Sequence, residues 1–209
     1  MALARLSVVK DYLKISGSGK DDTLKLLLGV ATQMASKYTR RDYLEKPGSA
    51  IDEFYSPTDV LNSRLYLRNK PLNTINSIVE NYAKTGGDDT ISSDDYDVFS
   101  AEGVVRFDGA SPTTGFLNLK VKYQPGYDTS DWDTDAITVT FGNVPNDLEY
   151  AVAVIAAKLF NDSKQGDGRA GLSSKSRAGE SLAYTTEFDK TSLPKEAKMI
   201  LDNYVLAQF

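Results

Sequence analysis

The stretch GDGRAG, Gly166 to Gly171, has the G-x-G-x-x-G spacing of a dinucleotide-binding turn. That chemistry needs a strand before the turn and a helix after it, so that a pyrophosphate rests on the helix N-terminus. Here a helical pattern precedes the motif and more Gly/Ser-rich sequence follows, so it reads as loop. A second stretch, DTSDWDTD, supplies Asp128, Asp131, Asp133 and Asp135, an alternation that can ligate calcium. Ala136 stands where an EF-hand loop requires glycine, and Gly142 where it requires the bidentate glutamate, so a solvated acidic loop is the better reading. The carboxylates of DDYD, Asp94 to Asp97, have the chemistry of a glycosidase pair, but sequence does not set their separation. Asn161-Asp162-Ser163 fits a glycosylation sequon, taken as chance because the chain shows no secretory signal.

Composition narrows the chemistry further. The 209 residues contain no histidine and no cysteine. Disulfides, thiolate nucleophiles, His-containing triads and His- or Cys-ligated metals are therefore excluded. No catalytic residue, cofactor site or metal site is assigned. The net charge of −5 gives no bulk attraction for phosphate backbones, although a local basic patch remains compatible with it. Apolar residues make up 41% and charged residues 25%, the balance of a folded chain. No apolar run approaches the roughly 20 residues of a membrane span. The N-terminal MALARLSVVKDYLKIS carries Arg5, Lys10 and Asp11 and lacks a signal-peptide core, so synthesis in a cytoplasm is expected.

The elements that must position these residues fall into three blocks. Leu6, Val9 and Leu13 predict a short helix over residues 5–13. Leu24, Leu27, Leu28, Ala31, Ala35 and Tyr38 form a 3.6-residue stripe along a second helix, with Asp21 or Asp22 as its N-cap and Arg40 and Arg41 at its C-terminal end. EKPGS then breaks the pattern. From residue 50 to 141 the candidate strands are IDEFY, SRLYL, NTINSIVENY, DYDVF, GVVRF, FLNLKVKY and AITVTF, separated by KTGGDD, DGASPTTG and QPGYDTSD. In FLNLKVKY, Leu117 and Leu119 are expected inward and Asn118 and Lys120 outward. Short links without helices predict an antiparallel meander or small barrel. At NVPNDLEY the period returns to 3.6, with Asn146 as cap and Glu149 completing a capping box. The helix that follows is apolar nearly all round. Residues 164–192 read as a long flexible loop, and a final helix starts near Pro194. The expected fold class is α+β: a helical bundle of residues 1–45 and 145–209, with residues 46–144 as an inserted antiparallel β-rich domain.

Candidate partner contacts follow from charge and residue size. Arg40, Arg41, Lys164, Arg169, Lys175 and Arg177 are cations at a helix end or in the long loop, suited to an acidic partner or a neighbouring subunit. Ala153 and Ala157 lie on the Ala-rich helix, where small side chains allow close approach of another backbone. This reading expects a charge at an outward-facing one of them to block assembly while sparing the fold.

The ordered set LSVVKDYLKI, DDTLKLLLGVATQMASKYTRRDY, LRNKPLNTINSIV, LKVKYQPGY and VPNDLEYAVAVIAAKLF resembles the head–tail connector (adaptor) proteins of tailed bacteriophages over nearly the whole chain. The resemblance implies a helical bundle carrying a β-rich insertion. It implies a ring of copies, usually dodecameric, beneath the portal, joining capsid to tail and continuing the DNA channel. The implied partners are other copies of the chain, the portal protein and a tail-proximal stopper or tail-completion protein. DNA passes through without specific binding, no membrane is involved, and the location is the virion after synthesis in the host cytoplasm. The resemblance carries no catalytic residues. Two other readings remain open on the residues alone: a carboxylate-based glycan hydrolase, and a monomeric β-rich binding domain.

Overall fold

The computed structural model describes residues 2–81, 88–108, 112, 116–129, 144–165, 174–177, 180–183 and 193–206. It divides into two compact units, residues 40–144 and residues 2–39 with 145–209.

The second of these contains the helices α1 (Leu6–Leu13), α2 (Asp21–Thr39), α3 (Asn146–Gln165) and α4 (Lys195–Leu201). Lys14 closes α1 in the left-handed conformation at φ 53°, its N–H donating back to the Asp11 carbonyl. Asp21 and Asp22 lie inside the first turn of α2, where carboxylates complement the positive end of the helix dipole. α3 packs against α1, α2 and α4. That placement explains its composition. Every residue from Ala151 to Ala157 is buried, because neighbours cover the helix on several sides and the alanines let them approach. Glu149 does not complete a capping box. Its carboxylate accepts from the Arg5 backbone N–H at 3.1 Å, from Arg5 Nε at 2.8 Å and from Arg5 Nη2 at 3.0 Å. This pins the start of α1 to the first turn of α3. A 3-10 turn over Asp202–Tyr204 ends the described chain. Tyr204 donates to Asp147 Oδ1 at 2.7 Å and Leu206 N to the Thr39 carbonyl at 3.0 Å, while Tyr38 donates to Asp202.

One expectation is corrected here. Within the stretch read as loop, β9 (Ser174–Arg177) and β10 (Glu180–Ala183) pair antiparallel. Small polar residues hid the ribbon, since neither strand offers an apolar alternation to detect.

The other unit is antiparallel throughout its ladders. β1 (Ile51–Tyr55), β4 (Leu72–Glu80), β5 (Asp89–Thr90) and β8 (Leu119–Pro125) form one sheet in the order β1-β8-β4-β5. β2 (Val60–Leu61), β3 (Arg64–Tyr66), β6 (Tyr96–Phe99) and β7 (Val104–Phe107) form another in the order β2-β3-β7-β6. The two share one core of Tyr55, Leu65, Leu72, Ile78, Val105, Phe107, Leu119, Val121 and Tyr123. The described strands thus make two open sheets, neither a closed barrel nor a simple meander, with β8 inserted between β1 and β4. AITVTF lies outside the described residues. Alternation begins at Leu119, later than FLNLKVKY suggests. Leu117 takes φ 47° and stays exposed while Asn118 is buried, so the pleat is not yet established there.

Candidate functional site

Among the described residues, three places that collect polar or exposed apolar side chains are considered in turn. The first is inside the β unit. Period-2 alternation along β1 turns Glu53 inward with Tyr55, leaving it 7% exposed. A buried carboxylate must be hydrogen-bonded to be tolerated. Tyr55 donates its hydroxyl to Glu53 Oε2, and Asn69 Nδ2 donates to Oε1 at 2.6 Å. The Tyr55 oxygen in turn accepts Arg68 N at 3.0 Å, and the Tyr123 oxygen accepts Asn69 N at 3.3 Å. Burial first, then Glu53, raises the pKa of both phenols far above the ordinary tyrosine value. The cluster therefore ties the Arg68–Asn69 turn to the sheet with neutral hydroxyls. It is a structural clasp, with Glu53, Tyr55 and Tyr123 all buried.

The second is an open depression lined by Tyr43, Glu45, Lys46, Gln124, Asp128 and Thr129. Its carboxylates are already engaged: Lys46 pairs with Asp128 at 2.7 Å and Thr129 Oγ1 lies 3.2 Å from Glu45. Gly126 allows this closure. It sits at φ 90°, and a Cβ there would fall 2.7 Å from the Glu45 carbonyl carbon.

The third comprises the outward surfaces. α2 buries Leu24, Leu28, Ala31 and Ala35 on one side, yet its opposite side presents Leu26 at 70% exposure and Val30. β6 closes its sheet as an outer strand, with Val98 and Phe99 exposed beside Asp94, Asp95 and Asp97. Arg106 stacks 5.8 Å from the Phe99 ring centre and pairs with Asp97 and Asp108.

The residues singled out from sequence are not brought together. Arg40 is exposed and takes φ 56° just past the end of α2, the left-handed conformation common where helices end. Arg41 is half-buried and donates to the Lys70 carbonyl at 2.6 Å, which makes it a brace within the β unit. Ala153 and Ala157 are 0% and 1% exposed, on a helix packed against α1, α2 and α4 of the same chain. The expected outward face on α3 is thereby corrected: the apolar excess is consumed inside the bundle. Lys175 stands opposite Leu182 and Arg177 opposite Glu180 in the β9–β10 register. Arg169, the GDGRAG motif, Asp131, Asp133 and Asp135 lie outside the described residues. Asp94, Asp95 and Asp97 are solvent-exposed around the start of β6. Among the described residues no group of three or more acidic side chains is placed to hold a metal ion. No helix among them is long and apolar enough to cross a membrane.

Sequence reasoning missed Glu53, although the phase of Ile51, Glu53 and Tyr55 in IDEFY carried the signal. It also missed the Arg5–Glu149 anchor, which no local pattern announces across 144 positions.

What emerges is an α+β protein of two units in which, among the described residues, the Glu53 and Arg5–Glu149 clusters brace the structure. No protein-family model and no curated protein matches the sequence. Solved structures do match in fold. A chain in the neck of an empty gene transfer agent (GTA) particle, computed with C6 symmetry, has a TM-score of 0.56 at 13% identity, over 98% of this chain and 90% of that one. A chain in the neck of the native GTA particle, computed with C12 symmetry, has a TM-score of 0.55 at 13% identity, over 98% and 89%. A chain in the virion of the native GTA particle has a TM-score of 0.52 at 12% identity, over 98% and 90%. The fold expected from the connector resemblance is thus met along almost the whole chain.

Proposed function

We propose that this chain is a structural, non-catalytic neck protein of a phage-like particle. Copies form a twelve-fold ring, in keeping with the C12 neck, between the portal and a stopper or tail-completion protein. The observation that carries the reading is the fold match to GTA neck chains over 98% of the chain, helical and β units together. The acidic net charge of −5 suits a channel wall along which DNA slides without adhering. Arg40 and the β9–β10 ribbon, with Lys175 and Arg177, are retained as candidate contacts to neighbouring proteins; Arg41, Ala153 and Ala157 are reassigned to internal support. The test is genetic. Disrupting the gene in the producing cell should leave DNA-filled heads and free tails that do not join. Normal joined particles lacking the protein would overturn the proposal.

A further inference from the structure

We propose that the outward face of the β2-β3-β7-β6 sheet is self-complementary and pairs two copies of this chain about a two-fold axis running along β7. Such a pair is independent of the neck reading. Neighbours in a ring are related by rotation about the particle axis, so a two-fold pair is a state of the free protein.

Register fixes which side chains share that face. Leu65, Val105 and Phe107 belong to the core. Alternation therefore turns Arg64 and Tyr66 on β3, Val104 and Arg106 on β7, and Asp97 and Phe99 on β6 to the other side. The Arg106 guanidinium lies 5.8 Å from the Phe99 ring centre on this side. The ladders set these residues in two rows. Arg64, Arg106 and Asp97 stand opposite one another across three strands, and so do Tyr66, Val104 and Phe99.

Charge in the first row is segregated. Arg106 is matched by Asp97, and by Asp108 at 3.4 Å. Arg64 stands directly opposite Arg106, and among the described residues no carboxylate pairs with it. Like charges directly opposite on a sheet are destabilising. On the other sheet the outward charges are matched within their own face, where Lys120 meets Asp52 at 3.3 Å. The second row is apolar. Val104 is 5% exposed between Tyr66 and Phe99, which remain 55% and 39% exposed. The β3 side of the face is thus a cation beside an aromatic ring, and the β6 side an anion beside an aromatic ring.

Rotation about an axis along β7 exchanges these two sides and keeps the rows in line. Arg64 of each copy then faces Asp97 of the other, Tyr66 faces Phe99, and Val104 faces Val104. The two carboxylate oxygens of Asp97 can accept from its own Arg106 and from the other copy's Arg64 together. Aligned sheets pack in this way with their strands within about 30° of each other. Exposed carboxylates border the face at Asp59, Asp94, Asp95, Glu102 and Asp108, and they disfavour a phosphate backbone as its occupant. Three strands about 4.8 Å apart make a small contact, so the pair is weak.

The experiment uses full-length chains carrying Arg64→Glu, Asp97→Lys, both together, or Tyr66→Ala, with circular dichroism to check the fold. Sedimentation equilibrium up to about 1 mM reads the association, and native mass spectrometry of mixtures reads which chains pair. Wild type should exchange between monomer and dimer. Arg64→Glu, Asp97→Lys and Tyr66→Ala should each weaken pairing by about ten-fold or more. Arg64→Glu mixed with Asp97→Lys should form a mixed dimer, because both ionic contacts then join unlike charges. The double variant should recover pairing by itself for the same reason. If Asp97→Lys fails to fold, Arg64→Glu and Tyr66→Ala still decide the matter. A wild type that stays monomeric to about 1 mM overturns the pair, and the face is then left to another protein or to solvent. Wild-type dimers that survive Arg64→Glu and Tyr66→Ala unchanged, or folded charge variants that form no mixed dimer, overturn it too. Rings that form equally well from wild type and Arg64→Glu, without dimers, leave the neck reading standing and the pair refuted.

Discussion

In the helical unit the stretch Ala151–Ala157 is buried with no polar side chain in it, whereas the β unit places Glu53 in its interior and surrounds it with Tyr55, Asn69 and Tyr123. The difference follows from geometry. A helix satisfies its own backbone, so a central helix can be covered by neighbours on several sides at no hydrogen-bonding cost. A turn that leaves a sheet, as at Arg68–Asn69, has backbone N–H groups to satisfy, and buried side chains supply the partners. The centre of α3 therefore carries no charge, the helical unit's buried carboxylate being Glu149 in the first turn, paired with Arg5, whereas in the β unit a buried carboxylate holds a turn to the sheet.

Four perturbations sharpen that contrast. Ala157→Glu should have the largest effect, about 3–5 kcal/mol of destabilisation, because it leaves an unpaired carboxylate in a closed apolar seat. Chemical denaturation followed by far-UV circular dichroism would detect it. If the variant kept wild-type stability, α3 would have a free face after all. Gly126→Ala should cost about 1–3 kcal/mol, since alanine is strained at φ 90° and its Cβ meets the Glu45 and Lys46 backbone. The loss should appear in the melting temperature, with Gly48→Ala, which meets open space, as a near-neutral control.

Glu53→Ala should cost the β unit about 1–3 kcal/mol by stranding the Tyr55 hydroxyl and the Asn69 amide. Glu53→Gln should lose less, because an oxygen acceptor remains. Equal losses for the two would show that the clasp contributes packing alone. The smallest effect is the pH dependence. Both buried phenols have raised pKa values in the folded state, so their stabilisation is complete below about pH 10, the unfolded tyrosine value, and declines as pH rises beyond it. Denaturation curves across the alkaline range should flatten in the Tyr55→Phe and Tyr123→Phe variants. An unchanged slope would mean that the phenols ionise without unfolding anything.

Much of the fold was legible in the sequence because the period of hydrophobicity changes twice. The stripe Leu24–Leu28–Ala31–Ala35 located α2, with the expected cap at Asp21 or Asp22 one to two residues late, and alternation along GVVRF and LKVKY placed β7 and β8. Partner choice in the sheets was not legible. Insertion of β8 between β1 and β4 is a non-local decision that leaves no trace in any single strand. The all-round apolar helix was read correctly as buried on several sides, but sequence does not distinguish burial by the chain's own helices from burial by a neighbouring copy. That ambiguity sent Ala153 and Ala157 to the surface, whereas α1, α2 and α4 enclose them.

The account turns on the claim that this chain builds the neck. Electron cryomicroscopy of the head–tail junction in particles that contain the protein tests it most directly. The prediction is a ring of copies immediately below the head, into which both the helical unit and the β unit fit as described. Density for the chain at the tail tip, on the capsid exterior or nowhere in the particle would contradict it.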